Sequence, residues 1–198
     1  MIIKPKVTIF EFTSYKFEPA QKRIFFNYKT EFENREPLFF TETIILPEIP
    51  NFEELPSGLL NKLFEGLHLV LGVSYYKSYC ATKIKTNYSL SKREALFWNT
   101  IYKKGLGEFF YINNLNPKIF PKFPFEKNTK IASYQLGKNN KCLVATSGGK
   151  DSIVATELLK EQKFDITAFF IETQKESNFV NKIIETAGIK YIKARRIL

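Results

Sequence analysis

The feature that most constrains this chain is a glycine-containing turn between an apolar segment and an amphipathic one. Residues 142–146 are apolar, and residues 147–152 follow with the sequence Ser-Gly-Gly-Lys-Asp-Ser. Gly148 and Gly149 carry no β-carbon, so the backbone can approach a ligand closely and adopt a positive φ. Consecutive amides of such a turn can converge on an anion, and a following helix directs its N–H groups and positive dipole end to the same place. The sequence therefore predicts a phosphate-binding loop between a strand and a helix.

The pattern after the turn is that of a parallel sheet. A helix is predicted at residues 151–163, a buried strand at 166–171, a second helix at 176–187 and a third strand from Tyr191. The first helix is expected to pack through an apolar side that contains Val154, Ala155, Leu158 and Leu159. Alternation of strands and helices is typical of an α/β fold, and three parallel strands are an incomplete doubly wound sheet. We therefore expect a truncated α/β domain at the front of a longer protein.

The region before the turn is predicted to be α+β. β-Branched and aromatic runs predict three strands, most simply an antiparallel meander, at residues 6–12, 23–28 and 38–45. Residues 108–140 contain three prolines and are expected to be irregular, with a linker at 123–130. This places a substrate-side domain at residues 1–130 and the start of the nucleotide domain at 131–198.

Two helices are predicted in this front region. Ser57 is expected to cap the first helix, and its apolar face is expected to contain Leu60, Leu63, Phe64, Leu67, Val70 and Leu71. Ser91 and Glu94 have the spacing of a capping box and predict the start of the second helix. Gly105 follows two lysines and is expected to end that helix.

Composition restricts the class of protein and of partner. No apolar run approaches the roughly 18–20 residues of a membrane span, and the first residues lack a secretion signal, so a cytoplasmic location and no membrane partner are expected. The formal net charge of +10 suits an anionic partner. The lysines are scattered rather than clustered, which does not favour nucleic acid. Cys80 and Cys142 form no C-x-x-C pair, so no zinc or redox motif is predicted.

The turn differs from the Walker phosphate loop, because Val144 stands where that pattern needs its first glycine. Ser-Gly-Gly-Lys-Asp-Ser after an apolar strand instead resembles the PP-loop of the N-type ATP pyrophosphatases, which cleave ATP between the α and β phosphates and transfer AMP. The resemblance implies ATP as cofactor and, as ATP-binding residues, Ser147, Gly148, Gly149, Lys150, Asp151 and Ser152. Asp151 is also the candidate ligand for Mg²⁺.

Two segments upstream of the loop carry a narrower resemblance. Residues 68–77 (HLVLGVSYYK) and 105–114 (GLGEFFYINN) resemble segments of the UDP-N-acetylmuramoyl-L-alanyl-L-glutamate epimerases of bacterial peptidoglycan synthesis. That resemblance implies an isomerase that uses ATP and Mg²⁺ to invert the terminal L-glutamate of a UDP-muramyl dipeptide, through adenylation of its carboxylate and release of AMP and pyrophosphate. It also implies a role in cell-wall biogenesis and cell shape. Members of that family are longer than this chain.

Four residues of the front region are candidates for handling such a substrate. Cys80, Glu108 and His68, the only histidine, are candidate proton-transfer residues, and Lys77 is expected both to lower the pKa of the Cys80 thiol and to bind substrate phosphate. Each has an alternative role. Cys80 and His68 are more typical of packed core positions and Glu108 of the solvated surface, and Lys77 is as typical of the surface as of a phosphate site.

Two other functions fit the loop. A tRNA-modifying PP-loop enzyme would adenylate a base and use the basic, aromatic-rich front region as an RNA platform. A regulatory module would bind ATP without turnover. Against the tRNA-modifying alternative, this sequence contains neither a cysteine cluster nor a concentrated basic patch.

Overall fold

The computed structural model of the protein describes residues 6–48, 54–116, 120–129, 133–135, 137, 139–173 and 178–198. The strands in these residues are β1 (Val7–Glu18), β2 (Arg23–Phe32), β3 (Leu38–Ile45), β4 (Lys83–Thr86), β5 (Lys141–Ala145), β6 (Asp165–Glu172) and β7 (Lys190–Ile197). The helices are α1 (Ser57–Leu71), α2 (Val73–Tyr76), α3 (Lys92–Gly105), α4 (Gly107–Ile112), α5 (Lys150–Glu161) and α6 (Asn178–Ala187), and a 3-10 turn (Pro19–Gln21) joins β1 to β2.

The strands form a mixed sheet in the order β4-β1-β2-β3-β7-β6-β5. Strands β1, β2 and β3 are neighbours, as the predicted meander requires, and the connection between β1 and β2 is too short for a parallel pair. Strand β7 pairs with β3 in the antiparallel sense and with β6 in the parallel sense, and β6 pairs with β5 in the parallel sense. The predicted parallel strands are therefore confirmed. Strand β4, parallel to β1, was not predicted.

The described chain divides into two compact units. The first comprises Met1–Lys16, Phe26–Thr41 and Glu53–Tyr134, and the second comprises Phe17–Phe25, Glu42–Phe52 and Gln135–Leu198. The core of the first unit is dominated by aromatic side chains, which include Phe10, Phe12, Phe26, Tyr28, Tyr76 and Tyr102. Their rings meet mainly edge to face, a geometry that aromatic pairs favour.

Helix α1 packs against the core through a different face from the one that its apolar spacing predicts. Phe64, His68 and Leu69 are buried, whereas Leu63 and Val70 of the predicted face are 52% and 44% exposed. Apolar residues lie on several sides of this helix, so the helical period does not select one face. The buried hydrogen bonds of His68 fix the observed orientation, and the predicted face is wrong at these two positions.

The two serines predicted to start helices behave differently. Ser91 and Glu94 form the predicted capping box, with the Ser91 Oγ accepting from the Glu94 N–H and the Glu94 carboxylate accepting from the Ser91 N–H. The predicted cap at Ser57 is wrong, because Pro56 occupies the N-cap and no side chain accepts a bond there. Helix α3 ends at Gly105 as predicted, but α4 lies in the segment that was predicted to be irregular.

The second unit has the predicted succession of parallel strands and helices. Its core is formed by Ala168, Phe170, Val180 and Ile184. Helix α5 departs from the prediction, because Thr156 is the side chain buried from it, whereas Val154 and Leu158 are 57% and 52% exposed. The Thr156 hydroxyl donates to the Ser152 carbonyl at 2.8 Å. This bond satisfies the hydroxyl, so the small side chain is buried at no polar cost.

A buried ion pair ties β3 to β7 within the second unit. The Glu42 side chain is fully buried and accepts two hydrogen bonds from the Arg196 guanidinium, the one from Nη2 at 3.2 Å. Arg196 is in register with Ile44, and Glu42 lies two residues before Ile44 on the same strand. In the part of the chain that the structure describes, no helix is both long and apolar enough to cross a membrane.

Candidate functional site

The predicted phosphate-binding loop lies between the end of β5 and the start of α5. The Thr146 N–H donates to the Phe169 carbonyl at 2.8 Å, so the strand remains fixed to β6 up to the residue before the loop. Gly148 has a φ of +82°, and Gly149 is the extended N-cap of α5. The N–H groups of the first helical turn have no partner within a helix and lie beside the loop. This is the strand–turn–helix arrangement that the sequence predicts.

Gly148 is required by its surroundings as well as by its backbone. An added β-carbon would lie 2.8 Å from the Phe179 ring and 3.2 Å from the Ile183 side chain, both on α6. The same position has the left-handed φ that side chains disfavour. Phe179 and Ile183 thus form an apolar wall beside the loop, a feature that was not predicted. The sequence signal for this wall is the i, i+4 spacing of the two residues, which places them on one side of a helix.

The polar groups of the loop suit an anion. Ser147, Lys150 and Asp151 are exposed, and Ser152 donates its hydroxyl to the Gly149 carbonyl at 2.8 Å, which fixes the start of α5. Asp151 is in the first turn of the helix rather than at the N-cap. Mg²⁺ commonly takes one or two protein carboxylates and completes its shell with water and phosphate oxygens, so one exposed aspartate beside the predicted phosphate-binding loop fits this ion.

A groove of about 320 Å³ continues from the loop between α5 and α6. Thr146 and Ser152 line the end of the groove next to the loop, and Phe179 and Ile183 line its side. Glu157 and Lys182 are the charged residues of its lining. The loop therefore opens onto a largely apolar channel within the second unit.

In the first unit, Lys77, Cys80 and α4 are linked by contacts. The Lys77 Nζ lies 5.9 Å from the centre of the Phe109 ring, next in sequence to the exposed Glu108. The Cys80 thiol donates to the Lys77 carbonyl at 3.7 Å, and Cys80 has a φ of +52°. Lys77 is thus linked to Cys80 and to α4, the helix that carries Glu108. The expected lowering of the Cys80 pKa is wrong, because burial raises it.

His68 lies apart from this group, in the aromatic core. Its Nε2 is 3.0 Å from the Asn27 carbonyl and its Nδ1 is 2.5 Å from the Tyr88 hydroxyl. A carbonyl only accepts, so Nε2 carries the proton and Nδ1 accepts from Tyr88. Burial lowers the pKa of His68 to about 4, which keeps the ring neutral. Full burial supports the core role for His68 rather than that of a base in contact with substrate.

The comparison with known families decides the assignment. The sequence model of the MurL N-terminal domain matches residues 1–198, the whole of the chain. The chain belongs to the MurL N-terminal domain family. No solved structure matches it.

Curated relatives of this MurL domain carry one name. The proteins from Micromonospora sp. and Salinispora tropica are 32% and 30% identical over 96% of this chain, and the protein from Xanthomonas oryzae pv. oryzae is 34% identical over 79% of it. All three are named UDP-N-acetyl-alpha-D-muramoyl-L-alanyl-L-glutamate epimerase. The matched regions cover 42%, 41% and 35% of those proteins, so the chain spans about two fifths of the length of these relatives or less. The family expected from residues 68–77 and 105–114 is confirmed.

Proposed function

We propose that this MurL domain is part of an ATP-dependent epimerase that converts the terminal L-glutamate of UDP-N-acetylmuramoyl-L-alanyl-L-glutamate to D-glutamate in cell-wall biosynthesis in the cytoplasm. The observation that carries the proposal is the β5–loop–α5 geometry with Gly148 at φ +82°, in a chain matched over its full length by the MurL N-terminal domain. The names of the relatives supply the substrate. The use of ATP is proposed from the geometry of the loop.

The loop residues have distinct roles in this proposal. The amides at Gly148 and Gly149 and at the start of α5 would hold phosphate oxygens, with the dipole of the helix adding positive potential. Ser147 and Ser152 would donate hydroxyl bonds, and Lys150 would add a full charge. Asp151 would hold Mg²⁺, which neutralises phosphate charge when it is bound. These are the roles of a PP-loop, so the proposal includes membership of the PP-loop superfamily.

Adenylation explains why an epimerase needs ATP. Removing the α-proton beside a free carboxylate would place two negative charges next to each other. A carboxylate oxygen therefore first attacks the α-phosphorus of ATP, and the bond to the bridging oxygen breaks as pyrophosphate leaves. The neutral acyl group can then stabilise the carbanion at the α-carbon. Return of a proton on the opposite face inverts the centre, and water releases AMP and the D-glutamyl product.

Two residues of the first unit are assigned to proton transfer in this proposal. Burial raises the pKa of Cys80, so it remains a thiol at neutral pH and suits the proton donor. Glu108 is an exposed carboxylate on the neighbouring helix and suits the base. Lys77, whose ammonium group lies over the Phe109 ring beside them, suits substrate phosphate. His68 is assigned to packing.

The decisive assay uses the full-length protein with ATP, Mg²⁺ and the UDP-muramyl dipeptide. We expect AMP and pyrophosphate to form only with the dipeptide, together with D-glutamate after hydrolysis of the product. Asp151→Ala should abolish AMP formation, because it removes the magnesium ligand. Glu161→Ala at the other end of α5 is the matched control and should retain activity. Full activity of the Asp151→Ala variant would contradict a role for the loop in the mechanism.

The alternatives predict different results in the same experiment. A tRNA-modifying enzyme would release AMP with tRNA and not with the dipeptide, and its tRNA affinity would fall steeply with salt. A regulatory module would bind ATP and release no AMP with either substrate. Absence of dipeptide-stimulated AMP release rejects the epimerase proposal.

A further inference from the structure

The carboxyl end of β6 carries a buried acidic side chain that the proposed mechanism does not use. Glu172 is the last residue of this strand, and its side chain is only 9% exposed. Its Oε1 is buried and has no hydrogen-bond partner in the part of the chain that the structure describes. The Lys193 Nζ lies 3.5 Å from this oxygen and offsets its charge without donating a hydrogen bond to it. Buried acceptors without a bond are rare and costly, so this carboxylate is a candidate for contact with a ligand.

Glu172 lies at the same level of the sheet as the predicted phosphate-binding loop. Ala145, the last residue of β5, is in register with Phe169 of β6. The loop begins two residues after Ala145, and Glu172 lies three residues after Phe169. Neighbouring strands are about 4.8 Å apart. Open parallel sheets bind ligands outside the carboxyl ends of their strands, which is where both the loop and Glu172 lie.

The face of the sheet on which Glu172 lies also brings it towards the loop. Side chains alternate along a strand, so Glu172 shares a face with Ala168 and Phe170, which pack against α6. Phe179, near the start of α6, lies beside Gly148, since a β-carbon on that glycine would be 2.8 Å from the Phe179 ring. The loop, Glu172 and the first turn of α6 are therefore neighbours at one edge of the sheet.

The chemistry of a carboxylate restricts what it contacts in a nucleotide. A carboxylate accepts hydrogen bonds, donates none and is repelled by phosphate. The donors of ATP are the two ribose hydroxyls and the amino group of the base. The ribose is joined directly to the phosphates, so a triphosphate held at the end of β5 places the ribose within about one strand spacing, at β6. The two vicinal hydroxyls match the two oxygens of one carboxylate, which rotation about the last side-chain bond of Glu172 can present.

We propose that Glu172 selects a ribonucleotide at this site by accepting hydrogen bonds from the 2′ and 3′ hydroxyls of the ATP ribose. The proposal rests on the proposed function, because it takes the phosphates to lie at residues 147–152, and it deepens that function by assigning the residue that recognises the sugar. Glu172 is a specificity-determining residue in this proposal and takes no part in adenylation or proton transfer.

Calorimetry on the full-length protein with ATP, 2′-deoxy-ATP and 3′-deoxy-ATP tests the assignment. We expect the wild-type protein to bind each deoxynucleotide at least about 10-fold more weakly than ATP, because a hydrogen bond to a charged group is lost. Glu172→Met should bind all three nucleotides within about 3-fold of one another. Glu172→Gln keeps the shape of the side chain and guards against a folding defect, and it should reduce the preference for ATP at least about 3-fold.

Lys193→Met is the matched control. It removes the same ion pair from the other side and leaves the carboxylate, so it should retain the wild-type preference for ATP. Retention of that preference by folded Glu172→Met, or an equal loss of it in Glu172→Met and Lys193→Met, would overturn the proposal, since Glu172 would then serve only its ion pair. A wild-type protein that binds the three nucleotides equally would overturn it too and leave ATP binding at the loop intact. A wild-type protein that binds no ATP would reject the proposed function together with this role.

Discussion

The buried His68 makes the stability of the first unit depend on pH in a defined window. Its ring is enclosed by the rings of Phe12, Phe26 and Tyr28 and bonded at both nitrogens. Burial lowers its pKa from 6.5 to about 4. Protonation would place a charge in the aromatic core and force the Nδ1–Tyr88 bond to reverse its direction, because a protonated imidazole only donates.

The sign and size of the effect follow from linkage. The unfolded state takes up a proton near pH 6.5 and the folded state only near about pH 4, so the unfolded state binds more protons between these values. The free energy of unfolding therefore falls as the pH falls through this window. Between about pH 7.5 and about pH 5 the loss is about 2 kcal/mol, at about 1.4 kcal/mol for each unit of pH once the unfolded imidazole is protonated.

Two measurements check this. His68 is the only histidine, so the ring proton signals in an NMR titration report its pKa directly, and we expect no titration of the folded protein between about pH 8 and about pH 5. Urea unfolding followed by Trp98, the only tryptophan and also in the first unit, gives the change in free energy. His68→Gln should remove most of the pH dependence above about pH 5. A folded-state titration near pH 6.5 would refute the reasoning.

Three further predictions concern the loop, the helix caps and the buried ion pair. Gly148→Ala, which places a methyl group against an aromatic ring at a positive φ, should cost about 1–3 kcal/mol and abolish ATP binding in calorimetry; unchanged affinity would contradict the loop assignment. Ser91→Ala should lower the free energy of unfolding by about 1 kcal/mol and Ser57→Ala by far less, and equal effects would disprove the capping difference. Glu42→Gln should cost about 3 kcal/mol because it removes the buried carboxylate charge that accepts from the Arg196 guanidinium, and a neutral outcome in urea unfolding would show that this pair is not coupled to folding.

Sequence reasoning succeeded where the signal is local. The capping box needs only the identities of Ser91 and Glu94 at a three-residue spacing, and it forms as predicted. The order of strand, loop and helix at residues 141–161 is set by an apolar run followed by glycines. The predicted cap at Ser57 is wrong, because a side chain caps a helix from the N-cap position and Pro56 occupies that position.

The remaining errors arise from neighbours that are distant in sequence. Val154 and Leu158 are apolar and lie on the exposed side of α5, whereas the smaller Thr156 is the residue of this helix that the tertiary structure buries. The pKa of Cys80 is raised rather than lowered, since the neighbourhood of a thiol includes the whole fold around it and not only the nearby Lys77. No spacing in the sequence reports such an environment.

The sequence by itself determined the strand–turn–helix order at residues 141–161, the alternation of parallel strands and helices that follows it, and the family to which the chain belongs. These properties depend on residue types at short spacing and on the conformations that glycine permits. Only the tertiary structure decided that His68 is a neutral core residue, that Phe179 closes one side of the loop, and that Glu172 is buried beside Lys193 at the end of β6. These properties depend on which distant segments meet, because burial and pairing are set by contacts across the fold.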